Sequence, residues 1–273
     1  RKKGRGQTVV QTPVAACASR HGLPLYQWPR LNNDSYATLS TLKPDVGIVV
    51  AYGKILPQRY LDLPRFGCLN VHASLLPALR GAAPIQWAVI NGNARTGVSI
   101  MQLDAGMDTG DVAHMVETGI GPNETAGELH DRLAPLGADA LRVVLRQLCE
   151  GTFELQAQDH DQATHARMLS KHDGEVDWTR DAQDVHDHVR GMSPWPGAYR
   201  PGPRGPVKLH ATERVDGQGS PGEIIRIERD GPVVACGHGA VLIRRIQRPG
   251  KRAVTGAEYV RALHLQVGDP LEG

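Results

Sequence analysis

Over residues 44–121 the chain alternates short apolar runs with loops and one helix-spaced segment, and no other feature restricts its fold as strongly. Residues 45–53, DVGIVVAYG, form a continuous β-branched run, as expected of a strand buried on both faces. GCLNVH at 67–72 predicts a second strand, 96–104 a third and 110–117 a fourth. Residues 82–92 carry helix spacing, with Pro84 near the start and Gly92 at the end. A long amphipathic segment follows over 125–150, opened by PNET and closed by Gly151. Strands alternating with helices predict an α/β domain with a mainly parallel sheet.

The text changes after Gly151. Residues 152–180 are polar and read as a linker, and 181–192 predict a short helix. Beyond PWPG at 194–197 come the close-spaced runs KLHAT, GEIIRI, GPVVAC and AVLIRRIQ, separated by Gly and Pro. Such spacing predicts a small all-β barrel or sandwich. The chain as a whole carries a net charge of +2, but residues 190–273 hold 13 Lys and Arg against 8 Asp and Glu. Five of those cations lie in LIRRIQRPGKR at 242–252. This is a candidate nucleic-acid surface; the plainer reading is a solvated basic hairpin. The 4% aromatic content argues against base stacking by a row of rings, and phosphate contacts would dominate.

The 273 residues allow two domains. No apolar run approaches the roughly 18–20 residues of a membrane span, and no signal peptide is visible. Cys17, Cys68, Cys149 and Cys236 form no C-x-x-C pair, which argues against a thiolate zinc site and suits reduced thiols in a cytosol.

LNVHASLLP at 69–77 places Asn70 and His72 inside an apolar run. Two residues apart in a strand, they share a face. At the end of a strand of a parallel sheet they would line the crevice where ligands bind. An isolated N-x-H is more often a hydrogen-bonded pair capping a strand. The downstream QLDAGMDTGDV, however, offers Asp104, Asp108 and Asp111. A carboxylate there would hydrogen-bond His72 and favour the imidazolium. An amide, an imidazole and a carboxylate, with no Ser or Cys nucleophile in the motif, suit direct transfer of an acyl group to an amine. The amide and the imidazolium would stabilise the oxyanion, and the imidazole–carboxylate pair would move protons.

The joint pattern N-x-H, SLLP, RGAAP and D-x-G-x-D-T-G over residues 70–111 resembles the folate-dependent formyltransferases, with LSKHDGEVDW and PWPGA extending the likeness into the later part. The resemblance is strongest to members that formylate initiator methionyl-tRNA. It implies a Rossmann-like catalytic domain at 1–151, a linker at 152–170, and a carboxy-terminal OB-like, tRNA-binding β-barrel at 171–273. It implies 10-formyltetrahydrofolate as formyl donor, no metal, a monomer and a cytoplasmic location. Carried over residue by residue, the catalytic set falls on Asn70, His72 and Asp108. Ser74, Leu75, Leu76 and Pro77 match the folate-binding segment, and residues 49–56 match a wall of the pterin pocket. RKKGRGQ at the start resembles a loop that reaches toward the tRNA acceptor end, with Arg5 matching its functional arginine. Arg244, Arg245 and Lys251 are the candidate tRNA contacts of the second domain. Relatives carry a strand, a helix and another strand before that basic loop, so the chain reads as lacking them. Between SLLP and RGAAP stand Ala78 and Leu79, where many relatives carry a basic and a bulky aromatic residue.

Single residues have plainer readings too. Ser74 and Pro77 could shape a turn, and Arg80 could be a surface cation, a structural residue or a tRNA contact. Asp104 and Asp111 read as loop-forming. His186 and His188 do not share a helix face, which argues against a metal pair, and His160 and His165 read as solvated. Two rivals to the leading function remain: a formyltransferase acting on an amino sugar nucleotide, and a non-catalytic RNA-binding homologue.

Overall fold

The computed structural model describes residues 2–3, 8–9 and 11–271. It divides into two compact units, Arg1–Pro44 and Asp45–Gly273. In the first, β1 (Lys2–Lys3) and β2 (Thr8–Val9) pair antiparallel, followed by α1 (Pro13–Arg20) and α2 (Asn33–Leu42). Thr12 caps α1 with its side chain, and Asn32 and Ser35 form a capping box on α2, meeting amide groups a helix start leaves unpaired.

The second unit begins with β3 (Gly47–Val49), α3 (Gln58–Leu61), β4 (Cys68–His72), β5 (Arg80–Gly81), α4 (Pro84–Ile90), β6 (Arg95–Gln102), β7 (Val112–Gly119) and α5 (Ala126–Glu150). The sheet order is β3-β4-β6-β7. Only β3 and β4 run parallel; β6 is antiparallel to β4 and β7 to β6. The expected mainly parallel sheet is therefore corrected to a mixed one among the described strands. The segment containing α4 brings the chain back to the end where β4 left, so β6 runs antiparallel to it, and the loop 103–111 carries β6 into an antiparallel β7. β3 is shorter than its apolar run and is not buried on both faces, with Ile48 39% and Val50 61% exposed; among the described residues it pairs with β4 alone.

The helix α5 covers one face of this sheet. Its buried positions Ala126, Leu129, Leu133, Gly137, Ala140 and Val144 follow three- and four-residue steps. They pack with Leu69, Val98 and Ile100. Gly137 permits the approach: a Cβ there would lie 2.9 Å from Cγ1 of Val71. Thr125 and Glu128 cap the helix start, and Gly151 ends it with φ 71°.

Beyond β8 (His165–Ala166) come α6 (Ala182–Gly191), β9 (Ala198–Arg200), β10 (Val207–Val215), β11 (Ile224–Ile227), β12 (Pro232–Ala235), β13 (Ala240–Gln247), β14 (Val254–Thr255) and α7 (Gly256–Leu263). These strands form an antiparallel sheet ordered β11-β12-β13-β10-β9, with β14 on β13. Among the described residues no bridge joins β11 to β9, so the sheet is open and does not close into a barrel. Its core contains Trp178, Val185, Met192, Ile224, Ile243, Ile246 and Tyr259, together with Ala83 and Ile90 from the α/β part. The halves are also joined by polar groups. His186 donates from Nε2 to the Pro122 carbonyl (3.0 Å) and accepts from the Thr212 hydroxyl (3.0 Å). Buried Arg190 pairs with Asp187 at 2.6 Å and donates to the carbonyls of Gly121 and Glu124.

Candidate active site

The register of the mixed sheet fixes which way the polar pair faces. Val71 and Leu69 turn toward α5, so Asn70 and His72 turn to the opposite face. There their cross-strand partners are Met101 and Ser99. The pair thus shares one sheet face at the carboxyl end of β4, which ends at His72. Because β6 runs against β4, its last residue, Gln102, stands beside Leu69. The loop that follows must run back along that face to reach His72, and it does.

Of the three candidate aspartates, Asp108 is the one that arrives. Its Oδ2 lies 3.7 Å from His72 Nδ1, an ion-pair distance slightly too long for a direct hydrogen bond. The same oxygen accepts the Gly81 amide at 2.8 Å. His72 is 5% exposed, and its Nε2 donates to the Leu79 carbonyl at 3.1 Å. Nε2 thus has an acceptor within hydrogen-bond reach, while Nδ1 faces a carboxylate at ion-pair distance. In this position Nε2 is engaged by the Leu79 carbonyl and is not open to a substrate oxyanion. The Asn70 carboxamide is half-buried and makes no hydrogen bond among the described residues.

Two residues around the pair adopt left-handed backbone that non-glycine side chains avoid: Asp108 at φ 54° and Leu79 at φ 59°. Such strain persists only where surrounding contacts impose it. Asp104 supplies some of them, accepting from the Gly106 amide and the Thr109 hydroxyl, so it forms the loop as expected.

Ser74 directs its hydroxyl to the Ala78 carbonyl at 2.6 Å, and its own carbonyl accepts from the Ser99 hydroxyl at 2.7 Å. Leu76 is buried against Met101 and Val112. Ser74 and Leu76 thus shape the turn, while Leu75 and Pro77 remain half-exposed. Arg80 is not a surface cation; it is 4% exposed and bound to Gln158, a structural role. His160, read as solvated, accepts from Arg80 at 3.0 Å through Nδ1.

Sequence reasoning missed Gln158 and Thr164, both in the stretch read as linker. Thr164 accepts the Leu79 amide with its hydroxyl and the Arg80 amide with its carbonyl. Residues 165–166 pair with 80–81 as β8 on β5. A lone Gln in polar text carries no periodicity to mark it.

On the carboxy-terminal sheet, Arg244 and Arg245 are successive and both exposed, although alternation would bury one. Irregular pairing between β10 and β13 near Ala211 allows it, leaving Ile243 and Ile246 in the core. Arg244 is held by the carboxylates of Glu213 and Asp230. Arg245 and Lys251 make no ion pair among the described residues. Arg5 lies outside the described residues. His186 and His188 turn to different neighbours, Thr212 for the first and the Gly174 backbone for the second. Among the described residues no group of His, Cys, Asp or Glu is placed to hold a metal, and no helix is long and apolar enough to cross a membrane.

A family model described as "Formyl transferase" matches residues 1–145, and one described as "Formyl transferase, C-terminal domain" matches 168–264. The methionyl-tRNA formyltransferase of Geobacter sulfurreducens is 44% identical over 272 residues, covering 99% of this chain and 86% of the relative. That of Acetivibrio thermocellus is 44% identical over 98% of this chain and 88% of the relative. Among solved structures, HypX from Aquifex aeolicus in complex with tetrahydrofolic acid aligns with TM-score 0.65 at 19% identity, covering 88% of this chain and 43% of that one. An N-formyltransferase from Helicobacter canadensis, in complex with folinic acid and dTDP-3-aminofucose, aligns with TM-score 0.67 at 13% identity, over 90% of this chain and 87% of that one. At such identities these two carry the fold alone.

Proposed function

The chain belongs to the formyl transferase family, and from that premise we propose that it carries the formyl group of 10-formyltetrahydrofolate to the amino group of initiator methionyl-tRNA. The observation that carries the reading to named residues is the meeting of Asp108 and His72 on the sheet face that Asn70 shares.

The amine nitrogen attacks the formyl carbon and the C–N bond forms. The carbonyl electrons move onto oxygen, where the Asn70 carboxamide donates a hydrogen bond to the developing charge. The ammonium nitrogen sheds a proton to the His72–Asp108 pair. The pair returns one to the departing folate nitrogen as the old C–N bond breaks. For His72 to add a second donor to the oxyanion, its Nε2 must leave the Leu79 carbonyl, a change compatible with catalytic hydrogen bonds tightening only with substrate present. The donor lies against residues 49–56, the 74–77 turn and the 104–110 loop. Within the turn, Leu75 and Pro77 are the half-exposed contacts, and Ser74 and Leu76 act by shaping it.

Residues 1–151 form the catalytic part and 171–273 the tRNA-binding part, with Arg5, Arg245 and Lys251 as phosphate contacts and Arg244 a weaker one. The five strands β9–β13 in an open antiparallel arrangement are compatible with an OB-like module, which is itself a partly open barrel. A cytoplasmic monomer that uses no metal completes the reading. The rival acting on amino sugar nucleotides is favoured by no residue contact on this chain.

The deciding experiment offers the chain and 10-formyltetrahydrofolate either methionyl-tRNA or an amino sugar nucleotide. Formylation of the tRNA is expected. Formylation of the sugar alone would establish the rival, and folate binding without turnover would favour the non-catalytic homologue.

A further inference from the structure

We infer that Gln158, in the stretch between the two halves, is a positioning residue for the proposed transfer, holding the Asp108 loop so that its carboxylate meets His72. The inference rests on the reading of Asn70, His72 and Asp108 given above.

The Gln158 side chain is 8% exposed, and every polar valence of its amide is matched. Oε1 accepts from Arg80 Nε at 3.1 Å and from the terminal Arg80 nitrogen at 2.7 Å. Nε2 donates to the carbonyls of Asp108 at 3.0 Å and Gly110 at 2.6 Å. The amide can sit only this way round. A guanidinium offers donors alone and two backbone carbonyls offer acceptors alone, so a flipped amide would oppose like groups on both sides. Arg80 is buried, and with His160 as a further acceptor it fixes the far end of the bridge.

What Gln158 grips is the strained part of the loop. Asp108 sits in left-handed backbone, so the direction of its carboxylate depends on whatever holds that backbone. Gln158 binds the Asp108 and Gly110 carbonyls, on either side of Thr109, while the Gly81 amide binds the carboxylate itself. Gly81 is in turn locked against the incoming segment. Its φ is 120°, and a Cβ there would lie 2.7 Å from the Ala166 carbonyl oxygen. Thr164 ties the same segment to Leu79 and Arg80. Residues 158–166 thus clasp both partners of the carboxylate, its own loop and its amide donor. Among the described residues no hydrogen bond joins Gln158 to His72, and Gln158 acts through Asp108.

The test is a double-mutant cycle on the whole chain with both substrates. Gln158→Glu keeps the size and the bond to Arg80, but turns a donor into an acceptor against two carbonyls. It is expected to lower kcat by about 10- to 100-fold, the scale of a small displacement of a catalytic group, with KM for folate donor and tRNA changed by less than about twofold on the same grounds. Combined with Asp108→Asn, it should slow the reaction no further than Asp108→Asn alone. Additive losses in the double variant, or a kcat for Gln158→Glu near that of the unaltered chain, would overturn the inference. If Asp108→Asn itself leaves kcat unchanged, the catalytic reading fails first and takes the positioning role with it. A slow Asp108→Asn beside a normal Gln158→Glu sinks the positioning role alone. Thermal unfolding reports whether each variant folds. If Gln158→Glu does not, Gln158→Met enters the same cycle, since it removes the donor without adding a charge.

Discussion

Arg80 and Arg244 both bind protein acceptors, yet Arg80 is 4% exposed while the Arg244 side chain is 42% exposed. Arg80 belongs to a largely buried set with Gln158 and the Asp108 loop, in which the Gln158 amide makes all four of its hydrogen bonds, and exposed His160 closes the outer edge. Arg244 bridges Glu213 and Asp230, whose side chains are 43% and 53% exposed. In the first setting an unmet group would carry its full desolvation cost, so the network dictates geometry. In the second, solvent screens the charges, and such pairs contribute about 0–1 kcal/mol. A reaction centre needs the first kind of order. A surface that exchanges counterions for phosphates is served by the second, with some of its cations left unpaired.

The contrast is broken most forcefully where the two halves join. Arg190 and Asp187 form a pair with side chains only 8% and 3% exposed. Arg190→Met leaves Asp187 buried without its cation and is expected to cost about 3–5 kcal/mol in denaturant unfolding. A loss below about 1 kcal/mol would mean that this pair behaves as an exposed one does.

Next in size is Asn70→Ala. Removal of one oxyanion donor should slow single-turnover formylation by about two to three orders of magnitude with the fold intact. Near-normal rates would remove Asn70 from the chemistry.

Smaller effects belong to the exposed sheet. Neutralising Arg245 and Lys251 to Gln should weaken tRNA affinity and lower its salt dependence by about one counterion per lost phosphate contact. Arg244→Gln should do less, because Glu213 and Asp230 already offset its charge. Equal effects from all three positions would erase the distinction between paired and free cations. An unchanged salt slope would place the tRNA elsewhere.

The smallest expected effect is on pH. Burial holds His188 below its ordinary value of 6.5, so the unfolded chain takes up a proton the folded one resists. Stability should therefore fall as the pH drops below about 6.5. Glu124, held below 4.5 chiefly by the Arg132 guanidinium, continues the loss at lower pH. Unfolding midpoints across pH 8 to 5 check the sign. His188→Gln should flatten the upper part of the fall, and a midpoint that rises on acidification would contradict the assignment.

Much of the frame was legible in the residues. The helix over 125–150 carried its cap, its apolar stripe and its terminal glycine in plain view, and the structure gives Ala126–Glu150. Short strands bounded by Gly and Pro were equally readable, because pleat and turn chemistry are local. The direction of β6 was not, since an apolar run reads the same parallel or antiparallel. Nor was the docking of residues 156–166, whose long-range hydrogen-bond partners lie 44 to 87 positions away and obey no period.

Asn70, His72 and the choice among three aspartates show where the boundary falls. The amino-acid order determined which groups could do chemistry, and that two of them, spaced by two in a strand, must share a face. That follows from covalent geometry and needs no neighbours. Which face it is, that an antiparallel β6 sends its loop back to bring Asp108 to the ring, and that Gln158 and Gly81 hold it there were decided only when helix, sheet and connecting segment packed. Those outcomes depend on distant backbone groups competing for the same buried space, where each polar atom must find a partner or go without.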